Sequence, residues 1–251
     1  MTTRVILVGI GGASCSGKTL LAKHLCRLLP DAVLLHQDDF CPPEKYIPVH
    51  PEHGVQDWDD PETCIDWPRL RGALQRVRET GRVEYTSNDH LNKQAEVGVD
   101  ATVAAQWRER FAETRAVQWI LVDGFVLYWD EAVADTLDVK LLLRVPKETL
   151  RARRDERSYA LQHADDAAAG TVWEDPPGYF DNIVYPAYVK AHVGVFKGGD
   201  VEDGDAHPDS GVVLIHPPHG EEGMTAALGE ACEALLAAAM SGAGAVVNQP
   251  L

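Results

Sequence analysis

Short apolar runs alternate along this chain with stretches of helical period. The first run is Val5–Ile10, and Ala32–His36, Gln118–Gly124, Val139–Val145 and Val212–His216 follow it. Brief runs of this kind, closed by Gly, Pro or an acid, read as buried parallel strands. Between them, Leu20–Leu29, Pro68–Arg82, Thr102–Arg115, Lys147–Arg157 and Glu221–Met240 read as helices. Cys41–Pro61, rich in Pro, His and acids, and polar Asn88–Gly98 read as loops. Leu161–Thr171, rich in acids and Ala, reads as an inserted segment or a short helix. Ser241–Leu251 carries no pattern and is expected to be a disordered tail behind a single domain over 1–240. Strands alternating with helices predict an α/β fold, a parallel sheet with helices on both faces. In such sheets ligands bind beyond the carboxyl ends of the strands.

Between the first strand and the first helix lies Gly12-Ala13-Ser14-Cys15-Ser16-Gly17-Lys18-Thr19, which fits G-x-x-x-x-G-K-[ST]. Glycines let the backbone approach phosphate oxygens, and successive N–H groups form an anion nest. Lys18 is placed to reach the β- and γ-phosphates of a nucleotide and Thr19 to hold Mg²⁺. The rival reading is a Gly-rich turn, but the strand–loop–helix context is the one the motif requires.

The strand-end rule brings further acids to this edge. Asp38 and Asp39 follow the second strand, and Asp123 ends the third where a metal-site acid would sit. One acid of the first pair can accept the proton of an attacking hydroxyl. The bland reading makes all three turn or cap residues. Arg151, Arg153, Arg154 and Arg157 share one segment and read either as a phosphate-binding lid or as a solvated helix face. Trp58, flanked by Asp57, Asp59 and Asp60, reads either as a core tryptophan or as a ring that stacks a flat cation while an acid binds sugar hydroxyls.

Composition narrows the partners. The chain has 251 residues and a formal net charge of −16, with no basic footprint for nucleic acid and an acidic balance that anionic membranes would repel. Its five cysteines, Cys15, Cys26, Cys41, Cys64 and Cys232, are scattered without a C-x-x-C, which fits reduced thiols in a cytoplasmic protein. No leader is recognised at the N-terminus. No metal-binding histidine spacing and no nucleophile elbow occur.

At this point the chain resembles the nicotinamide riboside kinases, within the uridine kinase-like P-loop kinases. Gly9–Thr19, Gln37-Asp38-Asp39-Phe40, Val122–Leu127, and Pro177-Gly178-Tyr179-Phe180-Asp181 through Tyr185-Pro186-Ala187-Tyr188 carry the likeness. It implies a P-loop kinase fold with an arginine-bearing lid at about 147–190. It implies transfer of the ATP γ-phosphate to the 5′-hydroxyl of nicotinamide riboside, for NAD synthesis, with nicotinic acid riboside as a further substrate. By that resemblance Gly12–Thr19, Arg153 and Arg157 serve ATP, Lys18 and Asp38 serve catalysis, and Thr19 and Asp123 serve Mg²⁺. Asp38, Trp58, Asp59, Arg154, Tyr159 and Asp175 serve the riboside. Two departures stand out: Asp123 replaces the family's Glu, and Trp58 replaces its tyrosine. The longer segment Ala160–Val172 and the Pro/His-rich loop also differ from the family pattern. Rival readings are a uridine/cytidine or other small-metabolite kinase and a non-catalytic nucleotide switch. A monomer is the default expectation.

Overall fold

The computed structural model describes residues 2–84, 87, 97–114, 116–156, 159–160, 172–173 and 175–248. Its centre is a sheet in which β1 (Thr2–Gly12) lies between β3 (Val117–Gly124) and β4 (Val139–Leu143). Strands β2 (Val33–His36) and β7 (Val212–Ile215) form the flanks, giving the order β2-β3-β1-β4-β7 with every pair parallel. The connections are helical, as parallel neighbours demand.

Alternation along the strands supplies two cores. On β1, Ile6, Val8 and Ile10 face one side and Val5 and Leu7 the other, and on β3 Trp119 and Leu121 oppose Ile120 and Val122. Helices α1 (Lys18–Leu28), α3 (Ala101–Phe111) and α7 (Gly220–Ser241) cover the first face. α2 (Trp67–Thr80) and α4 (Glu131–Thr136) cover the second. Asp66, Asp100 and Asp130 cap α2, α3 and α4, their carboxylates accepting from first-turn N–H groups. α7 is apolar through much of its 22 residues, and Met224, Leu228, Cys232 and Leu235 bury its inner face in the first core.

A third cluster joins Leu142 and Leu150 to Tyr179, Phe180, Ile183 and Tyr188, fixing the segment that the periodicity left unassigned. The segment follows α5 (Lys147–Asp155), the helix expected there, and contains the two-residue pair β5 (Tyr159–Ala160) and β6 (Val172–Trp173), and α6 (Tyr185–His192). The expected tail is corrected. After Gly242 closes α7 in a left-handed conformation, Ala245–Asn248 form β8, antiparallel to Thr2–Val5 of β1. Its four residues are too few for the pattern to announce, and the pairing is with the opposite end of the chain. The inserted segment Leu161–Thr171 and most of the loop Asn88–Gly98 lie outside the described residues.

Candidate active site

The phosphate loop turns on three left-handed residues. Gly12 has φ 148°, Cys15 φ 67° and Gly17 φ 95°, and only the glycines adopt such values without cost. At Gly12 a side chain is also excluded by contact: a Cβ would stand 2.7 Å from Ser16 Oγ and 2.8 Å from the Leu143 carbonyl oxygen. Ser16, Lys18 and Thr19 are all buried at the start of α1. Among the described residues no hydrogen bond or ion pair engages Lys18, and the buried Ser16 hydroxyl also lacks a hydrogen-bond partner there. A loop holding an amine and a hydroxyl in reserve is suited to an anionic ligand.

The strand ends deliver the acids. Register places Asp123 level with Ile10 of β1 and with His36 of β2, two residues short of Gly12. Asp123 is 2% exposed; one carboxylate oxygen lies 3.1 Å from His36 Nδ1, and the other is buried with no hydrogen-bond partner among the described residues. His36 is buried, which opposes its charged form, but the bond to Asp123 and the nearby Asp38 and Asp39 carboxylates hold its pKa above the usual value. The turn Gln37–Phe40 follows directly and separates the neighbouring acids: Asp38 is half-buried, Asp39 fully buried.

The third group comes from the loop before α2 and from the lid. Asp57 Oδ1 accepts from the N–H groups of Asp59 and Asp60 at 3.1 and 2.8 Å, a tight turn that sends the two following acids different ways. Asp59 goes inward and is buried beside Tyr179, whose hydroxyl lies 3.4 Å from Oδ2. Burial raises the Asp59 pKa to about 6, with Arg154 opposing the rise and Asp57 and Asp175 adding to it. Asp60 goes outward to Lys190 at 2.8 Å, lining a separate cleft of about 330 Å³ with Asp57, Thr63 and Asn182. Trp58 is half-buried on the loop, outside the core clusters, and its backbone N–H donates to Tyr179 Oη at 3.3 Å.

The arginines of α5 divide. Arg151 turns to Glu148 and Asp181. Arg153 donates to the Cys15 carbonyl at 3.1 Å, so its guanidinium sits on the phosphate loop. Arg154 is buried and forks onto Asp175, Nε at 2.5 Å and Nη2 at 3.2 Å, while Nη1 donates to Ser14 Oγ at 2.9 Å. Removing one partner of so buried an ion pair typically costs about 3–5 kcal/mol.

Two distant observations locate the acids relative to one another. The half-buried Cys41 thiol is pushed well above its usual range by desolvation and by the carboxylates of Asp38, Asp59 and Asp39. Asp59 and Asp38 also reach the buried Cys64 thiol, with Asp60 in place of Asp39. Asp38 and Asp59 thus act on the same thiol, and Asp59 in turn lies in the field of Arg154 and of Asp175, on which Arg154 forks. Tyr159 is placed only through the backbone, paired with Trp173, and Arg157 lies outside the described residues.

Sequence reasoning passed over three contributors. His36 had a legible signal, a histidine closing an apolar strand level with a strand-end acid. Tyr179 had none, since its hydroxyl is brought to Asp59 across 120 positions. His192 is fully buried against Tyr188, ring centroids 4.6 Å apart, with Nδ1 donating to the Tyr188 carbonyl at 2.9 Å. Burial lowers its pKa to about 4 and the Lys18 charge adds to that, so a neutral imidazole neighbours the loop lysine.

No protein-family model matches the chain. Curated relatives do. It is 37% identical to the nicotinamide riboside kinase of Eremothecium gossypii over 83% of this chain and 84% of that protein. It is 34% identical to the same enzyme of Saccharomyces cerevisiae, over 79% and 82% of the two chains. The Schizosaccharomyces pombe enzyme is 32% identical over 80% and 85%. Among solved structures, a sugar kinase from Janibacter aligns over 93% and 94% of the two chains at 14% identity, with a TM-score of 0.45.

Proposed function

The chain belongs to the nicotinamide riboside kinase family, and from that premise we propose that it transfers the γ-phosphate of ATP to the 5′-hydroxyl of nicotinamide riboside. The observation that carries the substrate assignment is charge. Asp59 is buried in the field of Asp57, Asp175 and Arg154, and Asp38 and Asp59 act together on the Cys41 thiol, so among the described residues the carboxylates here outnumber the guanidinium of Arg154. A pyridinium riboside brings the compensating positive charge, and a uracil or cytosine nucleoside does not. Trp58 supplies a ring for the cation, a contact worth about 0.5–2 kcal/mol.

Within this reading Asp38 accepts the 5′-hydroxyl proton as the oxygen attacks the γ-phosphorus and ADP leaves. Lys18 holds the β- and γ-phosphates, and the N–H groups of Gly12–Gly17 cradle them. Arg153, resting on the Cys15 carbonyl, adds charge at the loop's rim. Asp59 accepts from the ribose hydroxyls, and Arg154 with Asp175 closes the space. The residues fit Mg²⁺. Mg²⁺ is bound through one or two protein oxygens with water and phosphate; Asp123 offers a buried oxygen with no hydrogen-bond partner among the described residues, and Thr19 a hydroxyl at the start of α1. Bound there, the ion would neutralise charge developing between the phosphates.

The test is turnover with Mg²⁺-ATP and a panel of nicotinamide riboside, nicotinic acid riboside, uridine and cytidine at one ionic strength. The expected outcome is the highest kcat/KM for nicotinamide riboside. A preference for uridine or cytidine replaces the proposal, and nucleotide binding without turnover of any nucleoside removes it.

A further inference from the structure

Ser14 belongs to the phosphate loop by sequence, but its side chain is engaged with the nucleoside side. Its hydroxyl accepts from Arg154 Nη1 at 2.9 Å, while the opposite edge of the same guanidinium forks onto Asp175. We propose that Ser14 is a positioning residue for the nucleoside: it aims Arg154, and through it makes riboside affinity depend on the state of the phosphate loop. The proposal rests on the kinase reading above.

The geometry makes Ser14 the reference point of this contact. A guanidinium held only by the Asp175 fork would move with Asp175, beyond the segment β5–β6 in the lid. The bond to Ser14 ties it instead to the loop between β1 and α1, at the middle of the sheet. The neighbouring arginine repeats the attachment: Arg153 Nη1 donates to the carbonyl of Cys15, the next loop residue, at 3.1 Å. Successive residues of α5 thus grip successive residues of the phosphate loop. Arg154 in turn lies in the field of buried Asp59. A loop ordered by nucleotide therefore presents Arg154, and with it Asp175 and Asp59, in one arrangement. By linkage the effect is reciprocal: whatever factor nucleotide adds to riboside affinity, riboside adds to nucleotide affinity.

The role separates from phosphate binding because the loop reaches phosphate through backbone N–H groups, whereas the Ser14 contact is made by its hydroxyl. Charge-assisted hydrogen bonds are among the stronger ones, and loss of this one is expected to weaken riboside by about tenfold.

The experiment is calorimetric titration of the full-length enzyme with nicotinamide riboside, with and without a non-hydrolysable β,γ-imido ATP analogue and Mg²⁺. The wild-type protein is expected to bind riboside more tightly with the analogue present. Ser14→Ala is expected to lose about tenfold in riboside affinity and most of that gain, with analogue affinity changed less than about twofold. Ser14→Thr, which keeps the hydroxyl, is expected to restore both, a rescue that a purely structural defect would not show. As a check independent of the alanine variant's stability, Asp175→Asn is expected to abolish the same gain. Wild-type riboside affinity in a folded Ser14→Ala protein overturns the proposal, as does a loss that falls on the analogue instead. Absence of riboside binding to the wild-type enzyme overturns the kinase reading and this inference together, so the two failures are told apart.

Discussion

The two halves of the candidate site are built on different principles. The phosphate half is one contiguous octapeptide whose ligating groups are mostly backbone N–H, shaped by Gly12 and Gly17 and seated between β1 and α1. The nucleoside half is assembled from side chains at 38, 58–59, 154, 175 and 179, carried by a turn, a loop, a helix and a lid. The first suits an anion through backbone geometry, to which the Lys18 amine adds charge. The second concentrates unlike charges in a buried space, where each carboxylate depends on its neighbours for both position and protonation. Changes on the phosphate side should therefore act on the chemical step, and changes on the nucleoside side should act first on affinity and pH dependence.

The boundary between the halves is Asp38, and the largest effect is expected there. Asp38→Asn should lower kcat by about 10²–10⁴-fold, the usual consequence of losing a general base, with riboside affinity little changed because Asn still accepts a hydrogen bond. Asp39→Asn should be milder, since Asp39 is buried where Asp38 is half-exposed. Turnover and calorimetric binding of both variants check this. If Asp39→Asn proves the more damaging, the base is the other residue.

Within the phosphate half, Lys18→Ala should cost about 10²–10³-fold in kcat, typical for one charged contact to the developing negative charge. Its thermal midpoint should hold, because among the described residues no hydrogen bond or ion pair engages the amine. Near-normal turnover in a folded variant would remove the phosphate-loop assignment.

The smallest effect belongs to the nucleoside half and appears as a pH dependence. Burial holds the Asp59 pKa at about 6, above the ordinary carboxylate value. The carboxylate is the form that accepts ribose hydroxyls and faces a cation, so protonation weakens the site. Above pH 6 kcat/KM for nicotinamide riboside should be flat with respect to this group. Below it kcat/KM should fall by about tenfold per pH unit, as for loss of one essential ionised group. Asp59→Asn should lower the plateau and remove that inflection. An unchanged profile in Asp59→Asn would detach the residue from the riboside.

Much of this was legible in the linear order of residues. The run from Val5 to Thr19 contains its own instructions: an apolar strand, glycines where the backbone must turn, and a lysine and hydroxyl at the helix start. Strands β3 and β4 were readable because they are buried on both faces and so largely apolar, and the flanking β2 and β7 because their short runs of Val, Leu and Ile are apolar although partly exposed. The strand-end acids Asp38 and Asp123 followed from the rule that parallel sheets bind ligands at one edge. These features are local, or depend on a topology that local pattern implies.

Tertiary structure decided the rest, for the reason that pairings between distant residues leave no period. Only folding sets His36 against Asp123, carries the Tyr179 hydroxyl to Asp59, and joins Arg154 to Ser14 and Asp175. The turn around Asp57 determines that Asp59 enters the site while Asp60 leaves it for Lys190, although the two acids are adjacent in sequence. β8 makes the same point at the level of the fold, since four residues with no pattern of their own became a strand because the edge of β1 offered them hydrogen bonds. Sequence determined where a phosphate would lie; the charge and hydrogen bonding of the nucleoside space depended on which distant side chains the packed lid and loop brought together.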